Sequence, residues 1–146
     1  LSGYYLLIRN FEDGGLLIVF LLLIVWLSDI VSYYGGKYFG KKPLAPVVSP
    51  KKTVEGAIAG LTGSLAAGVI AGFWFLDHIM MAHCLLVAFI CGTIGQFGDL
   101  AESLLKRHAG VKDSGNILPG HGGVLDRIDS LLFAGPAFYC YFKLVL

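Results

Sequence analysis

The chain has 146 residues, of which 56% are hydrophobic and 14% charged, with a mean hydropathy of +0.75. That length suits one domain, and that composition excludes an ordinary soluble protein and points to a membrane protein. A formal net charge of +1 makes no case for a nucleic-acid partner, so the placement of the charges carries the argument.

Leu1 to Gly15 mixes aromatic and polar residues and reads as a helix end followed by a loop. The first residue is Leu1 and not Met, and no basic n-region or cleavage site precedes the first apolar run, so the chain is expected to be a piece of a longer protein. From Leu16 to Leu27 every residue is apolar, and the pattern continues through Ser28, Asp29 and Ser32 to Tyr34. That gives roughly the 20 residues needed to span a bilayer. Residues 35–52 predict a loop, with Gly35-Gly36 and three prolines as breakers and with Lys37, Lys41, Lys42, Lys51 and Lys52.

A second helix is expected to begin with Ser49 as N-cap and Pro50 at its first position and to continue uncharged from Ala57 to Leu76. Its small residues Gly56, Gly60, Ser64, Gly68 and Gly72 recur every four positions. Such a stripe admits close helix approach in lipid, either inside one subunit or in a homodimer. After a short turn at Asp77-His78, a third helix is expected from Ile79 to Leu105, carrying Asp99 and Glu102 near its end. A fourth is expected from Asp126 to Leu146, with Pro136 as a kink and Lys143 close enough to the far end to snorkel. The fold class is all-α: a polytopic transmembrane protein of four to five helices, one catalytic domain over residues 1–146. Cys84, Cys91 and Cys140 form no CxxC pair and read as small core or lipid-facing residues. His78, His83 and His108 read as packed core histidines. The tyrosines 33, 34 and 38, with Phe39, read as interfacial aromatics.

The two loops after the first and third helices share one side and carry nine Lys or Arg when Arg127 is included, against none in the turn between helices two and three. The positive-inside rule makes that side cytoplasmic. Asp29, Asp99, Asp126 and Asp129 then gather at one membrane face, where acids need a cation or basic partners.

The polar centre is residues 103–129. Asp126 and Asp129 are three apart, on one face of a helix beginning near Leu125. With Asp99 from the neighbouring helix they form a candidate Mg2+ site of hard oxygen ligands. Before them, Gly120-His121-Gly122-Gly123 suits a tight loop whose amides converge on an anion. Lys106, Arg107, Lys112 and Arg127 surround this centre, and Lys51 and Lys52, read as following the N-cap of helix two, make sense against the helix dipole if an anion binds there. Asp29 is a candidate nucleotide or metal contact, or a salt-bridge partner of a loop lysine. Glu102, one turn from Asp99, is a candidate to support the metal ligands from behind but is given no catalytic part, so Glu102→Gln is expected to be tolerated.

Ser103, Lys106-Arg107, Lys112-Asp113, Gly115, Pro119, His121-Gly122-Gly123, Asp126-Arg127 and Asp129 resemble the signature of the phosphatidate cytidylyltransferases, complete over 27 residues. Asp29, Tyr33, Gly36-Lys37, Phe39-Gly40-Lys41 and Ser49-Pro50-Lys51-Lys52-Thr53 with Glu55-Gly56 resemble the segment that precedes it in the same family. Family members carry further transmembrane helices before the position of Leu1. The resemblance implies a bacterial plasma-membrane enzyme that condenses CTP with phosphatidic acid to CDP-diacylglycerol and pyrophosphate. It implies a Mg2+ requirement, with room for a second cation. Asp99, Asp126 and Asp129 would hold metal, and Lys106, Arg107, Lys112 and Arg127 would neutralise phosphate. Ser49, Lys51, Lys52, Asp29, Asp113 and Gly120 to Gly123 would bind substrate. Two other readings stand beside it: a CTP-dependent transferase for another lipid phosphate, and a cation-coupled transporter.

Overall fold

The computed structural model describes residues 3–110 and 125–145. Five helices and one small hairpin follow in order: α1 (Tyr4–Arg9), α2 (Gly14–Phe39), β1 (Pro43–Ala45), β2 (Ser49–Thr53), α3 (Val54–Trp74), α4 (Met81–His108) and α5 (Leu125–Val145). Among the described residues four of these, α2, α3, α4 and α5 from Ile128, are long and apolar enough to cross a membrane. The protein is a multi-pass, all-α membrane protein. At 1.5 Å per residue, the 26 residues of α2 and the 28 of α4 run to about 40 Å, longer than a hydrocarbon core of about 30 Å. Their ends therefore reach the polar interface.

Neighbouring helices run antiparallel. Gly56 and Gly60 of α3 lie against Ser32 and Ser28 of α2, and Gly68 against Cys84 and Ala88 of α4. Cys91 lies beside Ala134, and His83 Nδ1 is 2.7 Å from the Tyr141 hydroxyl, pairing α4 with α5. The small-residue stripe of α3 is thus occupied within the chain, with α2 on one side and α4 on the other. A Cβ on Gly68 would stand 2.9 Å from the Cys84 carbonyl oxygen, so the helix backbones touch where the side chains vanish. Phe20, Leu21 and Ile24 of α2, Val87 and Cys91 of α4 and Phe138 of α5 fill the centre, with Phe20 and Phe138 packed edge to face. Trp26, Phe73, Trp74 and Phe97 point outward, as lipid-facing residues do. Helix α1 is fastened to α5 by Tyr5, whose hydroxyl donates to the Leu131 carbonyl at 2.7 Å. Burial pushes that phenol up to about 12, so it remains a donor at any ordinary pH.

Several boundaries differ from the sequence expectation. Helix α2 starts at Gly14, behind Asp13 in a left-handed conformation, and continues through Gly35-Gly36 to Phe39. The segment expected to be loop up to Lys52 contains an antiparallel hairpin pairing Pro43 with Thr53 and Ala45 with Ser49. Ser49 and Pro50 are therefore strand residues and not a helix start. Pro50, which has no N–H to give, is tolerated because the strand is an edge. The true N-cap of α3 is Thr53, whose hydroxyl accepts from Gly56 N at 3.1 Å. Among the described histidines none is buried: His78 and His108 are exposed, and His78 Nε2 lies 3.5 Å from Asp13. Cys84 and Cys91 are buried and Cys140 is exposed.

Candidate active site

The antiparallel order places the C-terminal ends of α2 and α4 and the N-terminal ends of α3 and α5 at one end of the bundle. The hairpin lies over that end. A cleft of about 520 Å³ opens there between α2, the hairpin, the start of α3 and α4, and Asp29, Ser49, Lys51, Lys52 and Asp99 all line it. Five residues singled out from sequence, spread over seventy positions, thus share one wall-to-wall space. Ser32, Tyr33, Lys37, Thr53 and Gln96 complete its polar lining.

The hairpin determines which lysine does what. Successive strand residues face opposite ways, so Lys51 is exposed while Lys52 is half-buried and forms an ion pair with Asp99 of α4. Asp29 is close enough to feel both the Lys52 ammonium and the Asp99 carboxylate. The two lysines precede the N-cap of α3 and do not occupy its first turn, so the repulsion by the helix dipole expected from sequence is slight. Their positions come instead from the hairpin base. Glu55 Oε2 accepts from the amides of Lys41 and Lys42 at 3.0 and 3.2 Å, and Lys42 O accepts from Val54 N at 2.9 Å. The motif contains Glu55 without assigning it a task; the structure shows that it clasps the chain entering the hairpin, at residues 41 and 42, to the start of α3.

Beside the cleft, α4 turns the Glu102 and Lys106 side chains toward α5. Lys106 Nζ is 3.1 Å from Glu102 Oε2. Asp129, buried with Ser130 at the start of α5, has Glu102 and Asp99 close enough for their charges to interact. Asp29, Asp99, Glu102 and Asp129 therefore form a chain of acids across three helices, with Lys52 and Lys106 as intervening cations. Arg107 lies apart from the cleft, donating from Nε to Val48 O at the hairpin tip at 3.4 Å. Among the described residues no three His, Cys, Asp or Glu side chains are grouped closely enough to hold a metal ion. Lys112, Asp113, Gly120, His121, Gly122 and Gly123, with the side chains of Asp126 and Arg127, lie outside the described residues. Gln96 was missed in the sequence; the signal was a lone amide inside an apolar helix, and here it donates to Ala57 O at 3.1 Å across the α3–α4 contact.

Residues 2–145 match the model of the cytidylyltransferase family. The chain is 45% identical over 144 residues to a phosphatidate cytidylyltransferase of Bacillus subtilis, covering 98% of this chain and 53% of that protein. Against the phosphatidate cytidylyltransferases of Staphylococcus aureus (strain COL) and Staphylococcus haemolyticus the identities are 49% and 46%, each covering 92% of this chain and 52% of the relative. The chain spans about half the length of the curated relatives it matches. With a family match that runs over nearly all its residues, the chain belongs to the cytidylyltransferase family.

Proposed function

We propose that the protein transfers the cytidylyl group of CTP to phosphatidic acid, forming CDP-diacylglycerol and releasing pyrophosphate. The observation that carries this reading is the meeting of Asp29, Asp99, Lys51 and Lys52 in one cleft at the helix ends. A lipid phosphate must stay at the interface while a water-soluble nucleotide arrives from outside the bilayer, and a cleft at a bundle end serves both. The relatives, phosphatidate cytidylyltransferases by name, point the same way. No observation favours another lipid acceptor or cation-coupled transport.

In this reading the phosphatidate oxygen attacks the α-phosphorus of CTP in line. Phosphoryl transfer of this kind needs positioning and charge neutralisation more than covalent help. Lys51 and Lys52 neutralise phosphate oxygens from the hairpin side, and Lys106 does so from α4; Arg107, Lys112 and Arg127 are proposed for the same task on the strength of the motif. Asp29 and Ser49 contact the bound nucleotide, and Asp113 with Gly120, His121, Gly122 and Gly123 would complete substrate binding.

The donor set suits Mg2+. The acids that approach one another here, Asp99 and Asp129, offer only hard oxygens, and two carboxylates this close favour a cation between them. Asp99, Asp126 and Asp129 would hold the ion, and a second cation is proposed on the strength of the motif alone. When bound, Mg2+ would screen the triphosphate and ease the departure of pyrophosphate. We place the cleft on the cytoplasmic side of a bacterial plasma membrane, from the basic residues around it. We attach no homodimer to this reading, because the α3 stripe is occupied within the chain.

The test is to incubate the full-length protein in detergent with phosphatidic acid, labelled CTP and Mg2+, and to follow label into the lipid phase with and without EDTA. EDTA-sensitive label in lipid with release of pyrophosphate is expected. A folded protein that binds CTP but labels no lipid would move the acceptor to another lipid phosphate, and no CTP binding would sink the reading.

A further inference from the structure

Among the described residues Glu102 and Asp129 are the two buried acids of the polar end. Glu102 is 6% exposed, and both carboxylate oxygens are sealed from solvent. Among the described residues no hydrogen bond satisfies either oxygen, so its compensation comes from the Lys106 ammonium, 3.1 Å from Oε2. On its other side stands the carboxyl of Asp129. Asp99, Glu102 and Lys106 are spaced three and four apart on α4 and so share one face. Glu102 lies midway between the acid that lines the cleft and the cation beyond it.

A buried ion pair is a poor device for stability, since apolar residues of the same volume commonly do as well or better. It is a good device for fixing geometry, because each partner is costly to leave alone. Here the geometry fixed is that of three groups on two helices: Lys106 and Asp99 on α4, Asp129 on α5. We propose that Glu102 is a positioning residue for cytidylyl transfer, holding the Lys106 ammonium by charge and setting the distance of Asp129 from Asp99. It touches neither substrate. Its part is to keep a phosphate-neutralising cation and a metal-side acid in register while the triphosphate is split. This rests on the reading proposed above.

The experiment compares Glu102→Gln and Glu102→Asp in the full-length protein, each scored for kcat, for KM of CTP and for melting temperature. Glu102→Gln keeps the shape and removes the charge; Glu102→Asp keeps the charge and withdraws it by one methylene. Both are expected to lower kcat at least about tenfold, since small displacements of positioned groups are costly, with KM for CTP and melting temperature little changed. In a Lys106→Met background, Glu102→Gln is expected to remove less than about twofold more, as groups acting in one unit are not additive. The proposal is overturned if folded Glu102→Gln stays within twofold of the wild type in kcat, or if its full loss persists in the Lys106→Met background. Should Glu102→Gln fail to fold, Glu102→Asp decides by the same twofold criterion. A wild type that transfers no label would overturn the cytidylyl-transfer reading itself, an outcome distinct from an active wild type with an indifferent Glu102.

Discussion

Lys52 of the hairpin and Asp99 of α4 are joined by an ion pair that links the lid of the cleft to its wall. The side chains remain 29% and 34% exposed, so solvent screening limits the pair's value for stability to about 1 kcal/mol. Its importance lies in position: it holds a phosphate-seeking cation and a metal-seeking anion at one point. Lys52→Met is expected to lower kcat/KM for CTP about a hundredfold, the scale on which a single charge aimed at a transition state acts, while the melting temperature drops only a few degrees. Steady-state kinetics beside a thermal melt check this. A large melting shift with intact kinetics would make the pair structural.

The side chain of Asp126 lies outside the described residues, and its assignment comes from its spacing to Asp129 and from the family motif. Asp126→Asn removes the negative charge and keeps the volume. Turnover is expected to fall at least about a hundredfold with folding retained, read as label transferred to lipid against size-exclusion profile and melting temperature. Activity within a few-fold of wild type would remove Asp126 from the metal set.

The hairpin base yields a separate prediction. Glu55, two residues beyond the strand that carries Lys51 and Lys52, holds the amides of Lys41 and Lys42, so Glu55→Ala releases the chain entering the hairpin from the start of α3 and loosens the hairpin as a whole. KM for CTP is expected to rise about fivefold, with a smaller change in kcat, the pattern of lost ground-state placement. Limited proteolysis should cut faster between residues 40 and 53. Unchanged cleavage would show that the clasp is redundant.

These cases mark what the sequence discloses. Membrane spans were legible because hydrophobic run length is a local property, and α2, α3 and α4 fall within a few residues of expectation. The convergence of Asp29, Asp99 and Asp129 was legible because antiparallel helices of similar length alternate ends. The hairpin was not: Pro43–Ala45 and Ser49–Thr53 are short and proline-bearing, and the chain entering it is fastened by a Glu55 contact from another element. Ser49-Pro50 imitates a helix start equally well in local terms, and only the tertiary partner decides. Glu102 was undervalued because one acid at a helix end resembles an interfacial solubiliser until its burial is known.

The packing of α3 makes the last prediction. A Cβ on Gly63 would stand 2.6 Å from the Leu27 carbonyl oxygen and 2.9 Å from Val31 Cβ, both on α2. The first neighbour is backbone and cannot step aside, so Gly63→Ala must push α3 away from α2. Overpacking of this kind costs about 1–3 kcal/mol, seen as a lower melting temperature in detergent. Because α2 carries Asp29 and α3 follows directly from the hairpin, the displacement also reaches the cleft, and activity should fall even where the protein stays folded. Gly15→Ala is the control. Nothing lies within 4 Å of its added carbon, and replacing a helical glycine by alanine there should be neutral or stabilise by about 0.5–1 kcal/mol. If both substitutions behave alike, the close approach of α2 and α3 at Gly63 is not what holds the cleft together.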